Sequence, residues 1–233
     1  LVGTLKKVIV AAGIGKVISD SLNLGGALQQ SIGGVETLFK ESADTVKAYA
    51  AQAYRTVGLS ANDYMEQTTS FAASLLSSVS KDTNAAAQLA NMAMVGVAEE
   101  FIFRGVIAQT LLEHFGTSRA GVWKACLLSG VLFGAAHLTN ILGSAPFGVL
   151  MQCVFAASLG TLFAAVYFRT GNLWVTVFLH GAMDISSMLI GGLYGTTTVA
   201  EAVSGYDASM LLSVLLYLIP TAFLLRKKKL PEV

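Results

Sequence analysis

Residues 145–168 read APFGVLMQCVFAASLGTLFAAVYF, from Ala145 to Phe168, and carry no charged side chain. A predominantly apolar run of about 20 residues is long enough to cross the hydrocarbon core of a bilayer as a helix. Its only interruptions are glycine and Pro146, which neighbouring helices accommodate in membranes. Working outward, three comparable runs flank it, at residues 122–139, 173–194 and 208–225, the last also without charge. From Gly121 to Leu225 the charged residues are Lys124, Arg169, Asp184, Glu201 and Asp207. Buried helices of a soluble protein would need four such lengths in succession. The sequence therefore predicts an all-α fold, a multi-pass transmembrane helical bundle.

Composition points the same way. Of 233 residues, 54% are hydrophobic and 12% charged, against roughly 25% charged in ordinary soluble domains. The formal net charge of +1 and the lack of a large basic patch give no footprint for nucleic acid. Cys126 and Cys153 lie in apolar runs and read as buried free thiols rather than as a disulfide or metal pair. Arg226, Lys227, Lys228 and Lys229 follow the last apolar run, so the positive-inside tendency places the C-terminus in the cytoplasm. Alternating backwards puts Arg169, Lys124 and Arg119 on that side and Glu201 and Asp207 on the other.

Residues 1–94 are different: an N-terminal amphipathic helical segment. Gly25-Gly26 and Gly33-Gly34 read as breaks. Val35, Leu38, Phe39, Val46, Tyr49, Ala53 and Val57 fall near helical spacing, with Gly58 as the stop. Ser60 and Asp63 have the spacing of a capping pair for a helix running to about Val79. Thr83 is the expected cap of a longer helix reaching about His114, a residue read as interfacial. The chain thus divides into 1–94 and 95–233.

Three ionisable groupings stand out in the apolar half: Glu99-Glu100-x-x-x-Arg104, Phe133-x-x-x-His137 and His180-x-x-x-Asp184. Ionisable groups at membrane depth are costly and mark function by default. Residues four apart on a helix are neighbours, so Arg104 is expected to hold Glu100, leaving Glu99 for another partner. Phe133 shares a face with His137, and His180 and Asp184 address one point. Taken singly, the first grouping also fits a structural ion-pair cluster and His137 a satisfied core histidine. Together they are a kit for activating water. Glu99 would be the general base, with His137, His180 and Asp184 holding the water and stabilising the oxyanion. The same Glu99, His137 and His180 suit zinc with an open position. The sequence leaves both mechanisms open.

The ordered set Glu-Glu-x-x-x-Arg, Phe-x-x-x-His, His-x-x-x-Asp over about residues 95–225 resembles the CAAX protease and bacteriocin-processing enzyme family, also called CPBP or Abi. The resemblance implies an intramembrane endopeptidase, of glutamate or metallo type. Its partners would be the lipid bilayer and a prenylated (CAAX-type) protein or a leader or bacteriocin-type peptide. Glu99, His137, His180 and Asp184 would be catalytic, with Glu100, Arg104 and Phe133 supporting, and the location a bacterial inner membrane. Residues 1–94 instead resemble a phage tail tape-measure protein, on residues 33–47, 58–66 and 91–94. The expectation is a chimera joined near Met94–Val95, lacking the family's N-terminal membrane helices and hence poorly active. A non-catalytic immunity or peptide-binding protein and a phage tail structural fragment are the competing readings.

Overall fold

The computed structural model describes residues 2–78, 82–194 and 199–227, without the side chains of 2–15, 17–18, 21–22, 75, 78, 188–194 and 199. Among the described residues the fold is all-helical, with no strand. The chain forms two compact units, Leu1–Val95 and Gly96–Val233. Lys228 and Lys229 of the basic tail lie outside the described residues.

In the first unit, α1 (Val2–Phe39) runs straight through the glycine pairs expected to break it. A glycine inside a helix costs only about 1 kcal/mol relative to alanine, too little to end a helix that continues on both sides. The break falls instead at Lys40, at φ 49°, which opens a 3₁₀ turn, Lys40–Ser42, before α2 (Ala43–Thr56). The periodicity read over residues 35–57 therefore spans two helices. It still marked the inner face: Val35, Phe39, Val46, Ala53 and Val57 are all buried. Gly58, at φ 72°, follows α2. Helix α3 (Ala61–Ser78) starts behind Ser60, whose Oγ accepts the Asp63 N–H at 3.1 Å and donates to its carboxylate at 2.6 Å. Helix α4 (Thr83–Glu100) is capped by Asp82 rather than Thr83: Asp82 Oδ1 accepts the N–H of Asn84 at 2.8 Å and of Ala85 at 3.2 Å. Tyr64 donates its hydroxyl to Asn91 Oδ1 at 2.6 Å, and burial pushes its phenol up to about 12.

In the second unit the chain leaves α4 through a π-helical stretch, Phe101–Ala108, into α5 (Gln109–Phe115). The helix expected to reach His114 is thus continuous but rewound in its middle. Helix α6 (Arg119–Ala136) is capped by Ser118, whose Oγ accepts the Gly121 N–H at 3.2 Å. It tightens into a 3₁₀ turn, His137–Leu142. Helix α7 (Pro146–Thr170) has proline in its first turn, where the missing N–H is not needed, and ends at left-handed Gly171. Then come α8 (Leu173–Tyr194), α9 (Val199–Ser204), a 3₁₀ turn Ala208–Leu211, and α10 (Leu212–Leu224). Among the described residues, two helical runs, Arg119–Leu142 and Pro146–Thr170, are long and apolar enough to cross a membrane; Ala208–Leu224 is apolar but shorter.

Helices α6 and α7 are the most closely joined pair of this unit, and glycine makes that possible. A Cβ on Gly130 would collide with Thr161 and the Ala157 carbonyl, and one on Gly134 with the Cys153 carbonyl. A Cβ on Gly160 would sit 2.9 Å from Phe133 Cδ1. Gly130 and Gly134 are the small-x-x-x-small spacing by which membrane helices approach closely. Outward, the unit displays Leu127, Leu128, Val131, Phe178, Leu216 and Phe223, while charged Glu100 and Arg104 are fully buried. That inversion suits a lipid surround. Cys126 is buried and Cys153 partly so, both as free thiols.

Gly130→Val should destabilise the detergent-solubilised protein by the ~1–3 kcal/mol that overpacking costs, seen as a lower thermal unfolding midpoint. Gly143→Ala, where a Cβ meets nothing within 4 Å, should leave the midpoint unchanged.

Candidate active site

The site begins with the last turn of α4. Glu100 and Arg104 face inward with no side-chain exposure, Arg104 Nη1 lying 2.9 Å from Glu100 Oε1. The guanidinium is held between two aromatic rings, 4.4 Å from the Phe133 centroid and 5.2 Å from that of Phe163. Such stacking suits the weakly hydrated, planar arginine cation. Arg104 sits inside the π-helical stretch that follows Glu100. π-Helical turns occur frequently at functional sites.

Glu100 also does something the spacing did not reveal. Its Oε1 accepts a hydrogen bond from His180 Nδ1 at 2.8 Å, joining residues eighty apart in sequence. A carboxylate oxygen can only accept here, so Nδ1 carries the proton and Nε2 is turned the other way. Nε2 lies 3.5 Å from Glu99 Oε2 and 3.8 Å from Asp184 Oδ2. The first carboxylate orients the imidazole; the other two converge on its free edge. Their side chains are 27% and 24% exposed, against 7% for His180 and none for Glu100. The site is therefore sealed behind His180 and open in front of it.

His137 arrives differently. It is the C-cap of α6 and the first residue of the 3₁₀ turn, rather than a position inside a straight helix. Its Nδ1 donates to the Phe133 carbonyl at 2.9 Å, one of the acceptors a helix end leaves without a partner. This again exposes Nε2. The Phe133 ring is the shared wall: edge-on to His137 at 5.0 Å, to His180 at 5.9 Å and to Phe103 at 5.0 Å between centroids.

The sequence-derived residues are thus brought together, with unequal intimacy. Glu99, Glu100, Arg104, His180 and Asp184 form one connected cluster. His137 joins it through Phe133, its side-chain hydrogen bond going to the backbone and not to a carboxylate. Two participants escaped sequence reasoning. Phe163 stacks on Arg104 and packs against His180 at 5.8 Å, but one aromatic in an apolar run carries no signal. At Gly96 a Cβ would lie 3.5 Å from Asp184 Oδ2 and 3.8 Å from the His180 ring. Its place one turn before Glu100 was the available cue. His114, read as interfacial, is exposed near the end of α5, away from this cluster.

The fit to a metal was tested against the donors themselves. Among the described residues no three His, Cys, Asp or Glu side chains are gathered closely enough to hold an ion. With His180 Nδ1 engaged by Glu100 and His137 Nδ1 by a carbonyl, an ion would have to be taken by the two Nε2 atoms together with Glu99. The zinc set Glu99, His137 and His180 does not fit as arranged, and no chemical step is routed through it.

Residues 82–186 match the family described as type II CAAX prenyl endopeptidase Rce1-like, a stretch that takes in all three motifs. Residues 82–186 are an Rce1-like domain. No curated protein and no solved structure matches the chain. The Rce1-like domain is of a CAAX-type intramembrane protease family, which with the two long apolar helices marks a membrane protein. The match begins at Asp82, ahead of the Met94–Val95 junction expected from the sequence, so it includes all of α4.

Breaking the buried pair in this Rce1-like domain with Arg104→Ala should cost about 3–5 kcal/mol, because it strands Glu100 without its cation. Replacing both partners, Glu100→Leu with Arg104→Met, should recover most of that loss. Chemical denaturation in detergent measures both variants.

Proposed function

We propose that this chain is an intramembrane endopeptidase in which Glu99 activates water against a peptide carbonyl. The observation that carries the reading is the free edge of His180. Its Nε2 faces Glu99 Oε2 and Asp184 Oδ2 at 3.5 and 3.8 Å, too long for direct hydrogen bonds. A water seated in front of this edge would reach Nε2 and both carboxylates from the exposed side.

In this reading Glu99 accepts a proton from that water as it attacks. His180 acts as an imidazolium, its Nδ1–H held by Glu100 and its Nε2–H donating to the oxyanion that develops on the carbonyl, while His137, its Nδ1–H held by the Phe133 carbonyl, accepts a hydrogen bond from the water at Nε2. Asp184 aligns the water from the far side of His180. The proton taken by Glu99 passes to the departing amine, which returns the carboxylate for the next cycle. The apolar walls, Phe133 and Phe163, exclude bulk water and strengthen each of these interactions. Substrates proposed for this site are a prenylated CAAX-type tail or a leader-type peptide presented within the bilayer. Residues 1–81, ahead of the Rce1-like match, are proposed as an appended helical segment with no part in the chemistry. The positive-inside tendency places the C-terminus in the cytoplasm.

The competing reading, a peptide-binding protein without turnover, shares the pocket but not the chemistry. Purified chain in nanodiscs is incubated with a farnesylated CAAX peptide and, separately, a leader peptide, with products followed by mass spectrometry. Glu99→Gln and His137→Ala should each reduce cleavage by about 10²–10⁴-fold, the usual worth of general acid–base groups, at an unchanged unfolding midpoint. Peptide retained by wild type and never cut would establish the binding reading instead.

A further inference from the structure

We infer that one end of the second unit is a docking collar for anionic phospholipid headgroups. Three elements bring cations there. Leu225 lies in the same buried cluster as Val122, Ala165 and Phe168, with Trp123 and Tyr167 packed against it. That cluster fixes Arg119 and Lys124 at the start of α6, Arg169 at the end of α7, and Arg226 and Lys227 beyond α10 at one end of the bundle. Glu113 of α5, whose neighbours Leu112 and Phe115 pack on the same cluster, is the acid among them.

The other end is the reverse. Gly148 at the start of α7 packs tightly on the Val203 backbone, and the Ala145 N–H donates to Ser204 Oγ at 2.9 Å. The stretches meeting there, residues 137–145 and 199–211, contain no lysine or arginine, only Glu201 and Asp207 as charges. The asymmetry is therefore built into the folded domain.

Depth selects lipid as the partner. The Arg226 guanidinium lies 3.8 Å over the ring of Phe223, itself 63% exposed and apolar. The Lys124 ammonium lies 5.9 Å from the Phe115 centroid, and Leu127 and Leu128, one turn on, face outward. Each of these cations thus rises from the rim of an apolar band, the position from which lysine and arginine stems reach the headgroups. Trp123 and Tyr167 add the amphipathic aromatics typical of that boundary.

The test uses the full chain in nanodiscs of phosphatidylcholine, with and without phosphatidylglycerol. Lipid retained on release is counted by native mass spectrometry, and the unfolding midpoint is recorded. Wild type should retain phosphatidylglycerol preferentially and unfold at a higher temperature in its presence. Each cation removed should weaken the preference by about fivefold, so Arg119→Ser, Lys124→Ser, Arg226→Ser and Lys227→Ser together should abolish it. Adding salt to wild type should erode the preference without any substitution, which keeps the test alive if the quadruple variant fails to fold. Equal retention of the two lipids by wild type would overturn the inference. So would an unchanged preference in a folded quadruple variant, or an equal stabilisation by soluble glycerol phosphate. None of these outcomes depends on peptide cleavage.

Discussion

A hydrogen bond made out of reach of water, from His180 Nδ1 to Glu100 Oε1, organises the second unit of this protein. Its acceptor is a buried carboxylate, tolerable only because Arg104 stands 2.9 Å away. Arg104 is in turn a buried cation, tolerable because Glu100 neutralises it and the Phe133 and Phe163 faces sandwich it. Removing a partner from such a knot leaves a stranded charge, so each member fixes the others. The aromatic walls depend on α6 and α7 lying close together, and that depends on Gly130, Gly134 and Gly160. A chain of necessity thus runs from backbone glycines to the orientation of one imidazole.

That orientation divides the carboxylates by role. Glu100 is sealed and spent on positioning. Glu99 and Asp184 flank the open edge of His180 and retain partial exposure. Adjacent residues in one helix turn thereby have opposite environments: Glu100 is closed off beside Arg104 and His180, and Glu99 keeps an exposed face. The Rce1-like match to residues 82–186 bears on the protease family. The separation of roles within the Glu pair comes from the geometry.

Much of this was legible in the sequence because the bilayer makes polar side chains informative. In an apolar run a lone Glu, His or Asp needs a reason, and the four-residue spacings of Glu100–Arg104 and His180–Asp184 translate directly into contacts. Other features were not legible. The Glu100–His180 bond joins different helices, and no local period reports it. The π-helical stretch after Glu100 leaves hydrophobic patterning intact while altering the winding. His137 was expected on a regular helix, but the run ends there and turns 3₁₀. In the first unit, glycine pairs overstated the breaks in α1, while the actual break fell at Lys40, a residue without conformational signature. Asp82 and Thr83 both suit a cap, and only the hydrogen bonds to Asn84 and Ala85 choose between them.

The most direct measurement is the ¹⁵N spectrum of the His180 imidazole in nanodiscs, assigned by comparison with His180→Gln. The account predicts a proton held on Nδ1 in a strong hydrogen bond, protected from exchange and lost on Glu100→Leu with Arg104→Met. An Nδ1 found without its proton, or an imidazole exchanging freely with water, would contradict the arrangement from which the rest follows.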